Sequence, residues 1–167
     1  MQKIKNILLL ITATLLLFSC MKKENYPIEP QIEDNGFALV YDTGQYPVNG
    51  IISLRFTDGD GDIGLAENDT FPPHDPGSPL YYNLIINYFE KQHGQFVLVE
   101  TTPPFSARIP VLNSDEPGKA IKGIITDTVP LNPLPIYDTI KFETFIYDRQ
   151  NHKSNTVTTP EIILRRR

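Results

Sequence analysis

Three carboxylates occupy alternate positions in the segment Asp58-Gly59-Asp60-Gly61-Asp62. Carboxylate oxygens are the ligands that Ca²⁺ prefers, and the intervening glycines permit backbone turns that aim alternate side chains at one point. No Lys or Arg occurs between Arg55 and Lys91, so no cation close by in the chain offsets the repulsion among these acids. The spacing therefore predicts a Ca²⁺ site formed by Asp58, Asp60 and Asp62.

Two further acids are candidate metal ligands. Asp69 is the twelfth residue counted from Asp58, where an EF-hand loop places its last ligand. The EF-hand template itself fails, because Ile63 stands where that loop requires Gly and because a strand-like run precedes Asp58. The other candidate, Asp148, follows a strand-like run near the C-terminus.

A solvated loop is the alternative interpretation of the acidic segment. Asp side chains in glycine-rich turns accept hydrogen bonds from nearby backbone N–H groups, and such turns need no metal. The sequence leaves both interpretations open.

Short runs that alternate apolar and polar residues make up most of the chain after residue 36, and Gly, Pro, Asn and Asp separate them. Ile52, Leu54 and Phe56, for example, alternate with polar side chains. We therefore predict an all-β domain over residues 37–167, an immunoglobulin-like or fibronectin-III-like β-sandwich of seven or eight strands. A small β-barrel or jelly roll is the alternative topology. The predicted strands are Phe37–Tyr41, Ile52–Thr57, Leu80–Glu90, Gln95–Glu100, Phe105–Leu112, Ala120–Thr126, Thr139–Tyr147 and Ser154–Leu164.

This fold would bring a second loop to the acidic segment. In an immunoglobulin-like sandwich, the loop after the second strand and the loop before the last strand lie at the same end. The latter loop is 148–153, so Asp148 is expected to approach Asp58–Asp62. Alternatively, Arg149 and Lys153 of the same loop pair with the acids across solvent.

Residues 1–19 have the features of a secretory signal peptide: two Lys residues followed by the apolar run 7–18, which is too short to span a bilayer. The run ends in Leu17-Phe18-Ser19-Cys20, which resembles the lipobox of bacterial lipoproteins. That resemblance implies that Cys20 is the first mature residue and carries lipid, which attaches the chain to a membrane. Residues 20–36 would then be a flexible tether. The alternative is an ordinary cleaved signal peptide followed by an incidental Cys.

The segments FTDGDGDIGL (56–65) and FIYDRQNHKSNTVTT (145–159), together with the lipobox, resemble a group of small Bacteroidota envelope lipoproteins with an immunoglobulin-like domain. The resemblance implies a lipid-anchored location in the bacterial cell envelope, at the outer membrane. Whether the domain faces the periplasm or the outside stays open. Because function in this group is mostly unassigned, the resemblance implies no activity.

The net charge and the absence of catalytic motifs argue against some classes of function. A net charge of −5 without a long basic run argues against a nucleic-acid partner. No G-x-S-x-G motif occurs and the only Cys is Cys20, so we expect a non-enzymatic binding or assembly module with a protein or glycan partner. The alternative function is a glycan-binding accessory lipoprotein of a polysaccharide-uptake system, in which Tyr81, Tyr82 and Tyr88 would stack on sugar rings.

Overall fold

The computed structural model describes residues 25–112, 118–131 and 135–165. Within these ranges the chain forms eight β-strands and no helix, as the alternating apolar pattern predicts. The strands are β1 (Gln31–Tyr41), β2 (Pro47–Asp58), β3 (Leu84–Gln92), β4 (Gln95–Val99), β5 (Ile121–Pro130), β6 (Thr139–Ile146), β7 (Val157–Thr158) and β8 (Ile162–Ile163).

The strands form two antiparallel sheets that pack as a β-sandwich. One sheet has the order β1-β2-β5, and the other has the order β4-β3-β6-β7, with β8 also paired to β6. This is the grouping of an immunoglobulin-type sandwich, in which the first, second and fifth strands pair in one sheet and the third and sixth pair in the other. The predicted β-sandwich is confirmed.

The core lies between the inward faces of the two sheets. Ile52, Leu54 and Phe56 of β2 are buried, which agrees with the period-2 pattern in the sequence. Across from them, Phe142 of β6 is fully buried, and its ring lies 5.7 Å from that of Phe37, measured between centroids. These apolar contacts hold the ends of β2 and β6 in fixed positions, and both ends lead into the acidic region.

The N-terminal strand is longer than predicted. The predicted tether, residues 20–36, is wrong at its C-terminal end: β1 begins at Gln31, and residues 31–36 pair with β2 from Gln31 opposite Thr57 onward. Only Ile32 in this stretch is buried, and the pairing shifts register between Asp34 and Gly36. A polar edge strand with a register shift lacks the alternation by which strands are recognised in a sequence.

Of the other predicted strands, one is absent from the structure and one is divided. Phe105–Leu112 forms no strand and pairs only through an isolated bridge between Ala107 and Leu84. Proline lacks the N–H that a ladder requires; Pro104 precedes this segment and Pro110 interrupts it. The predicted strand Ser154–Leu164 is divided into the short strands β7 and β8, with Pro160 between them.

β5 forms one outer edge of its sheet, and an acidic side chain on it faces the interior. Asp127 lies two residues from Ile125 and from Val129, both of which pack in the core. Side chains two residues apart in a strand share a face, so Asp127 faces the opening between the two sheets. Burial there raises the pKa of Asp127 above its ordinary value.

The predicted signal peptide 1–19 and the predicted lipidation residue Cys20 lie outside the described residues. Among the residues that are described, no helix has the length and hydrophobicity needed to cross a membrane.

Candidate functional site

The acidic loop leaves the sandwich at Asp58, the last residue of β2, and the apolar residues that follow anchor it. Ile63 and Leu65 are both buried in the core region, and the Leu65 N–H donates a hydrogen bond of 2.9 Å to the Ile109 carbonyl. Between Asp58 and Ile63, Gly61 has a φ of 69°, in the left-handed region that glycine adopts without strain. Because both ends of the loop are fixed, the three Asp side chains have a defined arrangement.

The three carboxylates converge on one point. Asp58, Asp60 and Asp62 each offer an oxygen, and these oxygens all lie within 4.8 Å of one another. Ca²⁺ binds oxygens at 2.3–2.6 Å, so two oxygens bound to the same ion are at most about 5 Å apart. The cluster therefore has dimensions that could hold one metal ion.

Four carboxylate oxygens of this cluster are buried and have no hydrogen-bond partner among the described residues. Asp58 is 0% exposed, and neither of its carboxylate oxygens accepts a hydrogen bond from any described residue. One oxygen of Asp60 and one of Asp62 are likewise buried and without a hydrogen bond within the described ranges. Buried polar atoms in proteins nearly always have a partner, because leaving a charged oxygen both dehydrated and unbonded is costly. A cation at this point would provide the partner that these oxygens lack.

The raised pKa values of Asp58 and Asp62 also favour a bound cation. Burial, followed by repulsion from Asp60 and Asp62, raises the pKa of Asp58 to about 6. The backbone N–H groups of Asp62 and Ile63 oppose this rise without making a hydrogen bond of normal geometry. Burial and the nearby Asp148 also raise the pKa of Asp62. A bound cation would reverse these shifts, because it favours the ionised form of each carboxyl group.

A loop from the opposite sheet closes over the cluster, as the fold predicted. The side-chain amide of Gln150 donates to Oδ2 of Asp60 at 2.9 Å and to Oδ2 of Asp62 at 3.2 Å. The backbone N–H of Arg149 donates to the carbonyl of Asp62 at 3.3 Å. Gln150 is not among the residues predicted to form the site; its position in the loop 148–153 is the only sequence feature that points to it. Rotation of its amide by 180° would present an oxygen, a suitable Ca²⁺ ligand, to the same point.

Asp148 lies beside the carboxylate cluster. It is 1% exposed, and its two oxygens accept hydrogen bonds from the His152 backbone N–H, at 2.8 Å, and from the His152 ring Nδ1, at 2.7 Å. The hydrogen bond and charge of Asp148 raise the pKa of His152. This predicted ligand therefore shapes the loop 148–153 rather than forming part of the three-carboxylate group.

Asp69 also lies outside the three-carboxylate group. It accepts a 2.7 Å hydrogen bond from the Ala66 N–H and forms an ion pair of 2.8 Å with Arg149. These two contacts lower the pKa of Asp69. This ion pair agrees with the alternative prediction that Arg149 pairs with the acids. It links the acidic loop to the loop 148–153. Lys153, the other predicted cation, lies over the Phe145 ring instead, 3.7 Å from its centroid.

The three candidate stacking tyrosines do not form a flat platform. The rings of Tyr81 and Tyr82 meet edge to face, with 78° between their planes. Tyr88 is buried in the core, and its hydroxyl donates to Glu90 at 2.9 Å. Sugar stacking needs an exposed ring face, so this arrangement does not favour the glycan alternative.

Fold and site together define an immunoglobulin-type β-sandwich with an acidic cluster, suited to a cation, at one end. Comparison with protein-family models, with curated proteins and with solved structures finds no match to this chain.

Proposed function

We propose that this chain is a lipid-anchored protein of the bacterial cell envelope. Its β-sandwich would be a non-enzymatic binding or assembly module that Ca²⁺ stabilises at the acidic end. One observation carries the calcium assignment: the carboxylate of Asp58 is fully buried, faces Asp60 and Asp62, and accepts no hydrogen bond from a described residue.

The character of the site supports Ca²⁺ over Mg²⁺. Its oxygens come from a glycine-containing loop, and the neighbouring Gln150 lies in a loop that connects two strands of the other sheet. Ca²⁺ accepts such irregular sets of six to eight oxygens, whereas Mg²⁺ demands near-octahedral geometry and keeps several waters. Three carboxylates around one point also suit a structural cation better than acid–base catalysis, which needs an acid and a base at a set separation.

The calcium assignment is tested by thermal unfolding and calorimetric titration of the full-length protein in mild detergent. At a Ca²⁺ concentration about 100-fold above its Kd, the gain is about 2.7 kcal/mol, or a rise of roughly 5–10 °C in Tm relative to a chelator. The double variant Asp60→Ala/Asp62→Ala should lose this response. The matched control is Glu67→Ala/Asp75→Ala, which removes the same charge from the same loop outside the cluster and should keep the response. Calcium binding that survives the first pair of substitutions would sink the assignment.

The lipid anchor is tested separately. Cys20→Ser removes the sulfur to which lipid would be attached, so the protein should move from the membrane fraction to the soluble fraction or accumulate as an unprocessed precursor. Fractionation and mass measurement of the N-terminus distinguish these results. Normal cleavage with unchanged membrane retention would rule out lipidation at this residue.

A further inference from the structure

The segment formed by residues 25–30, here called the N-terminal segment, lies directly against the acidic loop. Gly59 separates two of the clustered carboxylates, and a Cβ placed on it would overlap the backbone carbonyl groups of both Tyr26 and Pro27. The backbone of the N-terminal segment therefore rests on the loop at a point where only glycine leaves room.

The same segment continues along the second loop of the site. Pro30 is buried, and the charge of Glu29 contributes to the raised pKa of His152 in the loop 148–153. Immediately afterwards, Ile32 exchanges two hydrogen bonds of 2.8 Å with the side chain of Asn155, one through its N–H and one through its carbonyl. Residues 25–32 thus extend from the acidic loop, past the loop 148–153, to Asn155.

We propose that the N-terminal segment is the cover of the cation site, and that seating of this segment and binding of the cation are coupled. The inference rests on the proposed function. A cation that draws Asp58, Asp60 and Asp62 together also fixes the backbone around Gly59, which is the surface on which the segment rests. Linkage then requires the reverse effect: displacing the segment weakens cation binding by the same factor by which the cation favours its seating.

The coupling has a consequence for an anchored chain. Between Cys20 and Asn25 there are five residue steps, which span at most about 18 Å, whereas the eleven steps from Cys20 to Gln31 span at most about 38 Å. Release of the N-terminal segment from the loop would therefore about double the reach of the domain from its attachment point. Calcium would regulate the distance between the domain and the membrane.

Gly59→Ala tests the coupling in the full-length protein in detergent. Gly59 does not have a positive φ, so alanine adds only a methyl group where the carbonyls of Tyr26 and Pro27 lie. The variant should bind Ca²⁺ about tenfold more weakly and should show amide hydrogen exchange about tenfold faster at Tyr26, Ile28 and Glu29. In the unsubstituted protein, Ca²⁺ should slow exchange at these same amides relative to chelator.

The matched control is Gly44→Ala, in the turn between β1 and β2 at the opposite end of the sandwich. It also lacks a positive φ, and its Cβ would meet only movable side-chain atoms, those of Tyr46 at 3.1 Å and of Asp42 at 3.3 Å. This variant should keep both the affinity and the exchange rates.

The outcomes separate the two proposals. If the unsubstituted protein binds Ca²⁺ but exchange in the N-terminal segment does not change, the coupling is overturned and the calcium site stands. If it binds no Ca²⁺, both fail. Should Gly59→Ala not fold, the exchange rates of the unsubstituted protein with and without Ca²⁺ still decide the question.

Discussion

Asp58→Asn is expected to make the metal-free protein more stable at pH 8 and to abolish its stabilisation by Ca²⁺. The carboxyl group of Asp58 is buried beside two other acids, and these surroundings raise its pKa from 3.8 to about 6. The folded state therefore holds this proton more tightly than the unfolded state does. Stability from this group is present below pH 4 and is lost as the pH rises to about 6, a difference of about 3 kcal/mol. Asparagine does not ionise and avoids that loss.

Unfolding by urea in chelator, from pH 4 to pH 8, measures this effect. The advantage of Asp58→Asn over the unsubstituted protein should grow between pH 4 and pH 6 and stay constant above. Asp69→Asn is the control of opposite sign, because the Ala66 N–H and Arg149 lower the pKa of Asp69. Its substitution should destabilise the protein at pH 8, and the difference should persist down to about pH 4 and fade only below it, as the pH falls through the lowered pKa. A less stable Asp58→Asn protein at pH 8 would refute the description of Asp58 as an uncompensated buried charge.

Gly64→Ala is expected to cost roughly 3 kcal/mol or more and to remove the response to Ca²⁺. Gly64 has a φ of 116°, and a Cβ on it would overlap the carbonyl group of Pro110. Alanine would both strain the backbone and push the acidic loop away from the segment that supports it. The Asp side chains would then lose the arrangement that brings their oxygens together.

Gly77→Ala separates the cost of backbone strain from the cost of the overlap with Pro110. Gly77 also has a positive φ, 91°, but a Cβ on it would meet nothing within 4 Å. This variant should show only the conformational cost, about 1–2 kcal/mol, and should keep its response to Ca²⁺. Urea unfolding and calcium titration of both variants provide the comparison. Equal losses of stability would mean that contact with Pro110 does not hold the loop in place.

Local patterns in the sequence predict most of the fold. The alternation of Ile52, Leu54 and Phe56 predicts a half-buried strand, and all three side chains are buried. The order of strands then predicts that the loop 148–153 reaches the acidic loop, and Gln150 makes that contact. The convergence of Asp58, Asp60 and Asp62 was also within reach, because it depends on spacing within five residues.

Features that depend on distant partners could not be predicted in this way. Asp69 and Asp148 have the right chemistry for ligands, but Arg149 and His152 lie closer to their oxygens than the cluster does. Nothing in the composition of residues 25–32 indicates that their backbone packs on Gly59. Such contacts follow from the three-dimensional path of the chain and leave no periodic signal in the sequence.

The interior-facing acid on β5 also affects how copies of the protein behave when they are crowded together. An outer strand offers unpaired backbone groups to any other extended chain, and this is how β-sandwiches join edge to edge and aggregate. A strand added beside β5 would cover the opening that Asp127 faces and would dehydrate its carboxylate further. Two copies joined through this edge would enclose two such groups. Asp127 therefore makes β5 a poor template for self-association.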